Sequence, residues 1–589
     1  MSAWATKAAA LAAVVAILAA PGFVSAFAVT LLNYIGVYAL VAIGLALLTG
    51  VGGLVSFGQA AFVGLGAYAT AWTTVVEGQS PWLGLALAIL VSCGVAAALG
   101  AATLRLKGHF LSLSTLAWGL AIGFLLGNID ALGGHDGLSG IPPITLGPWT
   151  LARSDQIYYL IWPVVVAAVI LSENLLASRV GRAMRALRGG HLLVESLGID
   201  PFRTRLTIFV IAAFLCAISG WLQAHLARFV SPSPFDVSMG IQYLMMAMIG
   251  GAASPIGGIV GAGLVAGLKN EIQDYLPLIA KGASGQLELV AFSAAFILFL
   301  QRARDGVVPF LARRLPRPTP SPPQEAPALA RRLQPPPGAP LLEIRAAERR
   351  FGGLAAVDKL SFDVKAGEIV GLIGPNGAGK STMFNLLTGA IGLTSGSILF
   401  QGAEIRGKPQ FRVARAGVAR TFQHVKLRPN MSVIDNVLLG AHGRLASGVF
   451  RGAFRLNRAE EASARFEAMR QLERVGLASR AFDPAGALPL GSQRVAEIAR
   501  ALIADPILMV LDEPAAGLRR PEKLALAELL SSLRAEGLTA LIVEHDMDFV
   551  MGLVDRLVVM DFGVKLREGS PGEVRADPRV QEAYLGGAP

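Results

Sequence analysis

Between Ala8 and Leu300 apolar residues come in runs of near membrane-spanning length separated by short polar breaks, whereas the rest of the chain has the mixed texture of a globular protein. Windows 7–22, 27–50, 55–75, 82–105, 110–128, 158–176, 205–226, 240–252, 254–270 and 287–301 read as ten candidate spans, which place both chain ends on one side. Several are short or glycine-rich, a pattern that serves interrupted helices around a pathway and close helix packing equally. Gln59, the notable polar residue within a window, either faces a pathway or bonds a neighbouring helix. Lys7 ahead of an Ala/Val/Leu run, with small residues at Val24-Ser25-Ala26, has the layout of a signal peptide. Further spans follow at once, so the run reads as an uncleaved first span. In the second half the apolar runs are strand-length, at Ile369–Ile373, Ile507–Leu511 and Leu541–Val543.

The chain is 53% hydrophobic and 16% charged, too apolar for a wholly soluble protein. Its net charge of +11 lies largely in the linker and in loops flanking the apolar windows. Lys7, Arg105, Lys107, Arg179, Arg182, Arg185, Arg188, Arg203, Arg205, Arg302 and Arg304 fall on one side of the ten-span arrangement, the side read as cytoplasmic. The opposite loop from Asn128 to Gln156 sets Asp130, Asp136 and Asp155 against Arg153 alone. Topology thus accounts for the charge, and nucleic acid is not an expected partner. Cys93 and Cys216 both lie in apolar windows and read as packed side chains, which excludes a disulfide framework or a metal centre built on them. Prolines recur in PRPTPSPP and QPPPGAP, so 311–340 reads as a semi-extended linker between a transmembrane domain, 1–310, and a soluble domain, 341–589.

The soluble domain carries the strongest motif. Gly374, Gly379, Lys380 and Ser381 match G-x-x-x-x-G-K-[ST] directly after the apolar run 369–373, and 381–387 reads as a helix. Glycines let the backbone approach phosphate oxygens, the helix N-terminus faces an anion, Lys380 sits on the β- and γ-phosphates and Ser381 on Mg²⁺. A nucleoside triphosphate is the implied ligand, with Asn376, Gly377 and Thr382 completing the loop. ILMVLDEP ends a strand on two acids: Asp512 is placed to hold Mg²⁺ through water and Glu513 to act as general base. LIVEHD puts His545 at another strand end, in reach of the γ-phosphate.

These motifs, in this order, resemble the ATP-binding-cassette ATPases over essentially all of 341–589, an α/β fold of the P-loop NTPase class. The resemblance implies that Phe351 stacks on adenine and that Gln423, in ARTFQHVKL, touches Mg²⁺ and the attacking water. In LPLGSQRVAEIARAL it implies a signature segment, with Leu488, Gly491, Ser492 and Gln493 directed to ATP on an opposite ATPase subunit. The chain departs from the family where Pro489, Leu490 and Ser492 replace Ser, Gly and Gln of LSGGQ, and where Arg519 replaces the usual Asp or Asn. Those positions bear on the partner-bound ATP and on cross-talk between two sites.

The first half resembles the permease of the branched-chain amino-acid importers over about 27–305, through GLVSFGQAAFVGLGAYATA, the DALGGHDGLSGIP loop and FVSPSPFDVSMGIQYLMMAMIGGAASPIGG. The basic stretch from Arg182 to Arg205 holds ESLGID, in which Glu195, Ser196, Leu197 and Gly198 look like the short coupling helix that sits in a groove of the ATPase, expected near Gln423. The terminal VQEAYLG, from Val580 to Gly586, looks like the tail of the ATPase of the same system. The resemblance implies a fused permease and ATPase in a bacterial inner membrane, working with a second permease, a second ATPase or a second copy of itself, and an extracytoplasmic solute-binding protein. The small polar solute is expected to be a branched-chain or related amino acid. Urea, short amides or aromatic acids remain alternatives, as do a half-exporter and an ATP-binding regulatory membrane protein.

Overall fold

Ser25 caps the first described long helix, its hydroxyl accepting the Ala28 N–H at 3.3 Å, and after an exposed first turn the apolar residues become buried, almost without exception from Ile35 onward. The computed structural model describes residues 15, 17–106, 109–279, 285–303, 305–314, 322 and 324–585. The chain divides into a unit of 1–177, 202–319 and 452–455 and a second of 178–201, 320–451 and 456–589.

The second half of helix Ala26–Leu45 is buried nearly all round, and helices Ser154–Ala177, Val237–Gly251 and Pro255–Ile279 pack against the helix. Among the described residues five helices are long and apolar enough to cross a membrane: Ala26–Val51, Pro81–Thr103, Phe110–Asn128, Ser154–Ala177 and Pro201–Ala227. Val237–Gly251 and Pro255–Tyr275 form a pair bent by 117°, one broken span or a re-entrant loop. Ten spans are therefore not confirmed among the described residues. Windows 240–252 and 254–270 are the arms of this bent pair, folded together by small residues. A Cβ on Gly250 would stand 1.6 Å from the Gly257 carbonyl oxygen, and one on Gly261 1.7 Å from that of Met246. Window 55–75 begins without regular structure and turns helical from Gln59, as an α-helix to Ala71 that continues as a π-helix over Trp72–Val76. Window 287–301 lies in helix Gly285–Arg302, outside the five, and window 7–22 lies almost wholly outside the described residues. Gln59 is buried and bonded, its Nε2 donating to Ser56 Oγ at 3.1 Å and its Oε1 accepting from Cys216 Sγ at 3.3 Å.

The second unit holds two sheets. Their strands are β1 (Pro340–Phe351), β2 (Leu354–Lys365), β3 (Ile369–Ile373), β4 (Ser395–Phe400), β5 (Ala403–Glu404), β6 (Val418–Arg420), β7 (Leu508–Asp512), β8 (Thr539–Val543), β9 (Arg556–Asp561) and β10 (Val564–Gly569). One sheet runs β6-β7-β8-β3-β9-β10, parallel except for the last pair, and the other runs β2-β1-β4-β5, antiparallel. Every residue of β3, β7 and β8 is buried, as continuous apolar strands of a parallel sheet covered on both faces must be. The C-terminal ends of these neighbouring strands deliver residues 374, 512–513 and 544–545 to one edge.

Residues 178–201 belong to this second unit, although the chain leaves helix Ser154–Ala177 to reach them and re-enters a long helix at Pro201. They form α1 (Arg179–Ala186) and α2 (His191–Ser196), and bury Leu193, Val194 and Ile199. The remaining helices used below are α3 (Lys380–Leu387), α4 (Gln410–Ala416), α5 (Leu490–Leu502) and α6 (Arg520–Ala535).

Candidate nucleotide site

The loop after β3 is tight because Gly374 has φ 155° and a Cβ there would meet the Met560 carbonyl oxygen at 2.1 Å, leaving room for glycine alone. Its backbone wraps back to α3, and the Lys380 ammonium donates to the carbonyls of Gly374 and Pro375, both at 2.8 Å. Burial lowers the Lys380 proton affinity below that of an ordinary lysine, while Glu513 and Asp512 act against that shift. A cavity of about 790 Å³ opens over the loop, walled by Phe351 and Phe562 at one end, by Asn376, Gly377 and 379–382 along the loop, and by Gln423, Glu513 and His545. Phe351 is 48% exposed, and the Arg349 guanidinium lies 4.6 Å from its ring centroid, covering one face.

Asp512 and Glu513 are adjacent but live in different surroundings. Asp512 ends β7, buried, with Oδ2 accepting from Arg420 Nη2 at 3.3 Å and Oδ1 buried without a hydrogen-bond partner. Burial pushes its carboxyl above the usual aspartate range, with the Arg420 guanidinium pulling the other way. Glu513 sits in the left-handed region at φ 49°, a conformation that costs about 1–3 kcal/mol for a residue with a side chain. Its backbone N–H donates to the Val543 carbonyl at 2.8 Å, and the turn swings its carboxylate into the cavity. There Oε2 accepts from Gln423 Nε2 at 3.0 Å, and Oε1 stands 2.7 Å from His545 Nε2.

Three groups that sequence reasoning missed hold this arrangement. Arg420 also donates to Asn385 Oδ1 at 2.7 Å and Thr388 Oγ1 at 3.1 Å, tying β6 to the end of α3. Arg494, on α5, donates to the carbonyls of Glu513 at 2.9 Å and Gln423 at 3.1 Å. Glu544, raised by burial above the usual glutamate range, accepts the backbone N–H groups of Ala515 at 2.5 Å and His545 at 3.0 Å. Arg420 stands within ARTFQ and Glu544 within LIVEHD, but only the folded contacts show what they touch.

Ser381, Gln423 and Asp512 offer oxygen donors, the chemistry of a hard divalent cation, and the unpartnered Asp512 Oδ1 fits such an ion. Among the described residues there is no group of three or more His, Cys, Asp or Glu that could hold a metal ion. The signature residues are not part of the cavity wall. Leu488 is buried, its carbonyl accepting from Gln493 Nε2 at 2.8 Å, and Gly491 lies against Glu522, whose Oε1 would be 2.8 Å from a Cβ there. Arg519 is exposed ahead of α6, its backbone N–H donating to Glu522 Oε2 at 2.8 Å.

The second cluster in this unit holds 178–201. Arg182, 2% exposed, makes a two-pronged ion pair with Glu461, Nη1 to Oε2 at 2.7 Å and Nη2 to Oε1 at 3.0 Å. The Arg179 backbone N–H donates to Glu461 Oε1 at 2.8 Å, and its Nε donates to the His442 carbonyl at 2.9 Å. Ser196 Oγ caps the Leu193 carbonyl at 2.8 Å, Glu195 pairs with His191 at 3.2 Å, and the Gly198 carbonyl accepts Arg415 Nε at 2.7 Å. The receiving wall is thus built around α4, Arg415, His442 and Glu461, and the cleft that holds 196–198 is also lined by Val418, Ala419 and Arg420, on the strand that leads to Gln423.

A phosphate loop, a strand-end acid pair, a glutamine and a histidine converging on one cavity, with a helical membrane unit on the same chain, define a transport ATPase joined to a permease. A family model described as the permease component of the branched-chain amino acid transport system matches residues 27–300. Models for the ABC transporter and for the branched-chain amino acid ATP-binding cassette transporter match 357–516 and 568–589. The high-affinity branched-chain amino acid transport ATP-binding protein LivG of Salmonella typhimurium is 46% identical over 242 residues, 41% of this chain and 95% of its own length. BraF of Pseudomonas aeruginosa, of the same description, is 43% identical over 242 residues, again 41% and 95%. A solved nucleotide-free ATP-binding cassette from an ABC transporter is 31% identical, with TM-score 0.38, covering 42% of this chain and 99% of that one. The chain belongs to the branched-chain amino-acid family of ABC transporters, with permease and ATP-hydrolysing cassette in one polypeptide.

Proposed function

We propose that this chain is half of a binding-protein-dependent importer of branched-chain amino acids in a bacterial inner membrane. A second permease and a second ATPase, or a second copy of this chain, complete it, and an extracytoplasmic binding protein delivers the solute. The observation that carries the reading is the packing of 178–201 inside the cassette unit beside an ATPase site, the arrangement needed to pass nucleotide-driven motion to membrane helices. The substrate class rests on the relatives' names and on the family models.

In the proposed mechanism Phe351 stacks on adenine with its free face, while Asn376, Gly377, Gly379 and Thr382 supply backbone and side-chain donors to the phosphates. Lys380 leaves the loop carbonyls for the β- and γ-phosphates. Ser381, Gln423 and Asp512 would hold Mg²⁺, which supplies charge neutralisation on the phosphates when bound. Gln423 and His545 fix the Glu513 carboxylate from both sides. Glu513 takes a proton from the attacking water, and His545 faces the γ-phosphate. Gly491, Ser492 and Gln493 reach across to the partner's ATP, with Leu488 anchoring their turn. Closure of two cassettes on ATP pulls on Glu195, Ser196, Leu197 and Gly198 and turns the permease pair outward; hydrolysis resets it.

The test is ATP hydrolysis by the chain in lipid with partner permease and ATPase, adding one solute-loaded binding protein at a time. Stimulation by a protein loaded with leucine, isoleucine or valine is expected. Stimulation only by one carrying urea, an amide or an aromatic acid moves the solute class, and activity indifferent to every binding protein overturns import.

A further inference from the structure

From residue 324 the described part of the proline-rich connection has no regular structure up to its closing turn, yet residues 329–334 are docked on the cassette. The Leu329 side chain packs against the apolar cluster around Val433 and Leu472, and the carbonyls of Leu329 and Ala330 accept Arg444 Nη2 at 3.2 and 2.9 Å. The Arg332 backbone N–H donates to Asp505 Oδ2 at 2.5 Å, and Gln334 Nε2 reaches the Pro506 carbonyl at 3.4 Å. Asp505 and Pro506 form the turn that launches β7, the strand ending on Asp512. The Arg332 side chain is half-buried and crosses to the end of α4, where Nη1 donates to the Arg415 carbonyl at 2.7 Å.

Arg415 is the same residue whose Nε holds the Gly198 carbonyl, with its guanidinium 5.4 Å from the Phe411 ring centroid. Arg332 and Arg415 both line a small cleft with Ser196, Leu197 and Gly198. After Ala416 and Gly417, the two residues that follow Arg415, the chain enters β6, which carries Arg420 and leads to Gln423. A connection that only tethered two domains would need none of these bonds.

We propose that residues 329–334 are a strap built into the transmission path, and that Arg332 is a positioning residue that fixes the Arg415 carbonyl so that the Arg415 side chain holds Gly198. The strap braces one joint from three sides: the β7 launch, the α4 end and the membrane-derived segment 178–201. Its role in transmission rests on the function proposed above; the joint itself does not.

The experiment is amide hydrogen exchange on the full chain in lipid nanodiscs, comparing Arg332→Ala and Arg332→Lys with the unaltered protein. Arg332→Ala should speed exchange of the Leu197, Gly198 and Ile199 amides and of 414–417 by about tenfold, the loss expected for one charge-assisted bond. The phosphate loop and β7 should exchange as before, and Arg332→Lys, which keeps a donor, should restore part of the protection. Unchanged exchange at 197–199 overturns the relay. Faster exchange spread through β7 and β8 overturns it too, because Arg332 would then serve the fold as a whole. In the same samples Arg332→Ala should leave the KM for ATP and the basal rate unchanged and reduce stimulation by the partner permease and loaded binding protein. Altered exchange with full stimulation would uphold the joint and sink the transmission role of 178–201.

Discussion

The imidazole of His545 and the carboxamide of Gln423 grip opposite oxygens of one carboxylate, that of Glu513, at 2.7 and 3.0 Å. A base held from both sides cannot rotate away from its water, and each holder comes from a different strand end or loop. Glu513→Gln keeps a side chain of the same shape but cannot accept the proton. Its turnover should fall by about 10² to 10⁴-fold while ATP binding is retained. Single-turnover hydrolysis set beside equilibrium ATP binding checks this, and normal turnover would remove Glu513 from the role of base.

Arg420 and Asp512 form a pair whose side chains are 7% and 6% exposed. Arg420→Met leaves a buried carboxylate without its counter-charge, and breaking such a pair costs about 3–5 kcal/mol. The cassette's denaturant-unfolding transition, followed in the full chain, should move down accordingly, with Arg420→Lys between. An unshifted transition would mean that solvent reaches Asp512 more freely than its burial indicates.

Glu461→Gln removes the charge opposite Arg182 while leaving the phosphate loop untouched. Basal ATP hydrolysis should persist, but its stimulation by the partner permease and loaded binding protein should be largely lost. The exchange of charges in Arg182→Glu with Glu461→Arg should recover part of it. Failure of stimulation to respond to Glu461 at all would deny this ion pair a place in coupling.

His442 gives the docked segment a pH limit. Burial, then the cations Arg179, Arg415 and Arg182, hold its imidazole well below the ordinary histidine range, so it is neutral in the fold. A histidine depressed in the folded state binds fewer protons there than when unfolded. Stability is therefore full above about pH 6.5 and falls as pH drops below that, by up to about 1.4 kcal/mol per unit. Nε2 lies 3.2 Å from Arg179 Nη2, so neutral His442 serves as the acceptor and protonation sets charge against charge. Protection of 178–201 against hydrogen exchange should decline between pH 6.5 and 5, and His442→Gln should flatten that dependence. An equally steep decline in His442→Gln would assign it to another group.

The site was legible where its chemistry is contiguous. Gly374–Thr382, Asp512-Glu513 and His545 declare themselves because strand-end motifs keep donor and acceptor types at fixed offsets. Arg494 and Phe562 did not, since their roles exist only once α5 lies on the loop at Gln423 and once the turn after β9 lies beside Phe351. The span count stayed unconfirmed for a related reason. Hydropathy windows see Met246, Gly250 and Gly261 as members of two separate runs, and nothing in a running average records that glycines allow those runs to fold back at 117°. Proline content likewise marked 311–340 as coil but is blind to the hydrogen-bond groups at 329–334 that fasten it.

The placement of 178–201 bears on how this polypeptide is to be dissected. A recombinant fragment starting at the beginning of β1 would look complete by its strands, yet it would lack the stretch that fills the cleft beside Arg415 and neutralises Glu461. Such a fragment bares an apolar seat once covered by Leu193, Val194 and Ile199, beside an acid without its arginine. Supplying 178–201 as a separate synthetic peptide should improve the fragment's solubility.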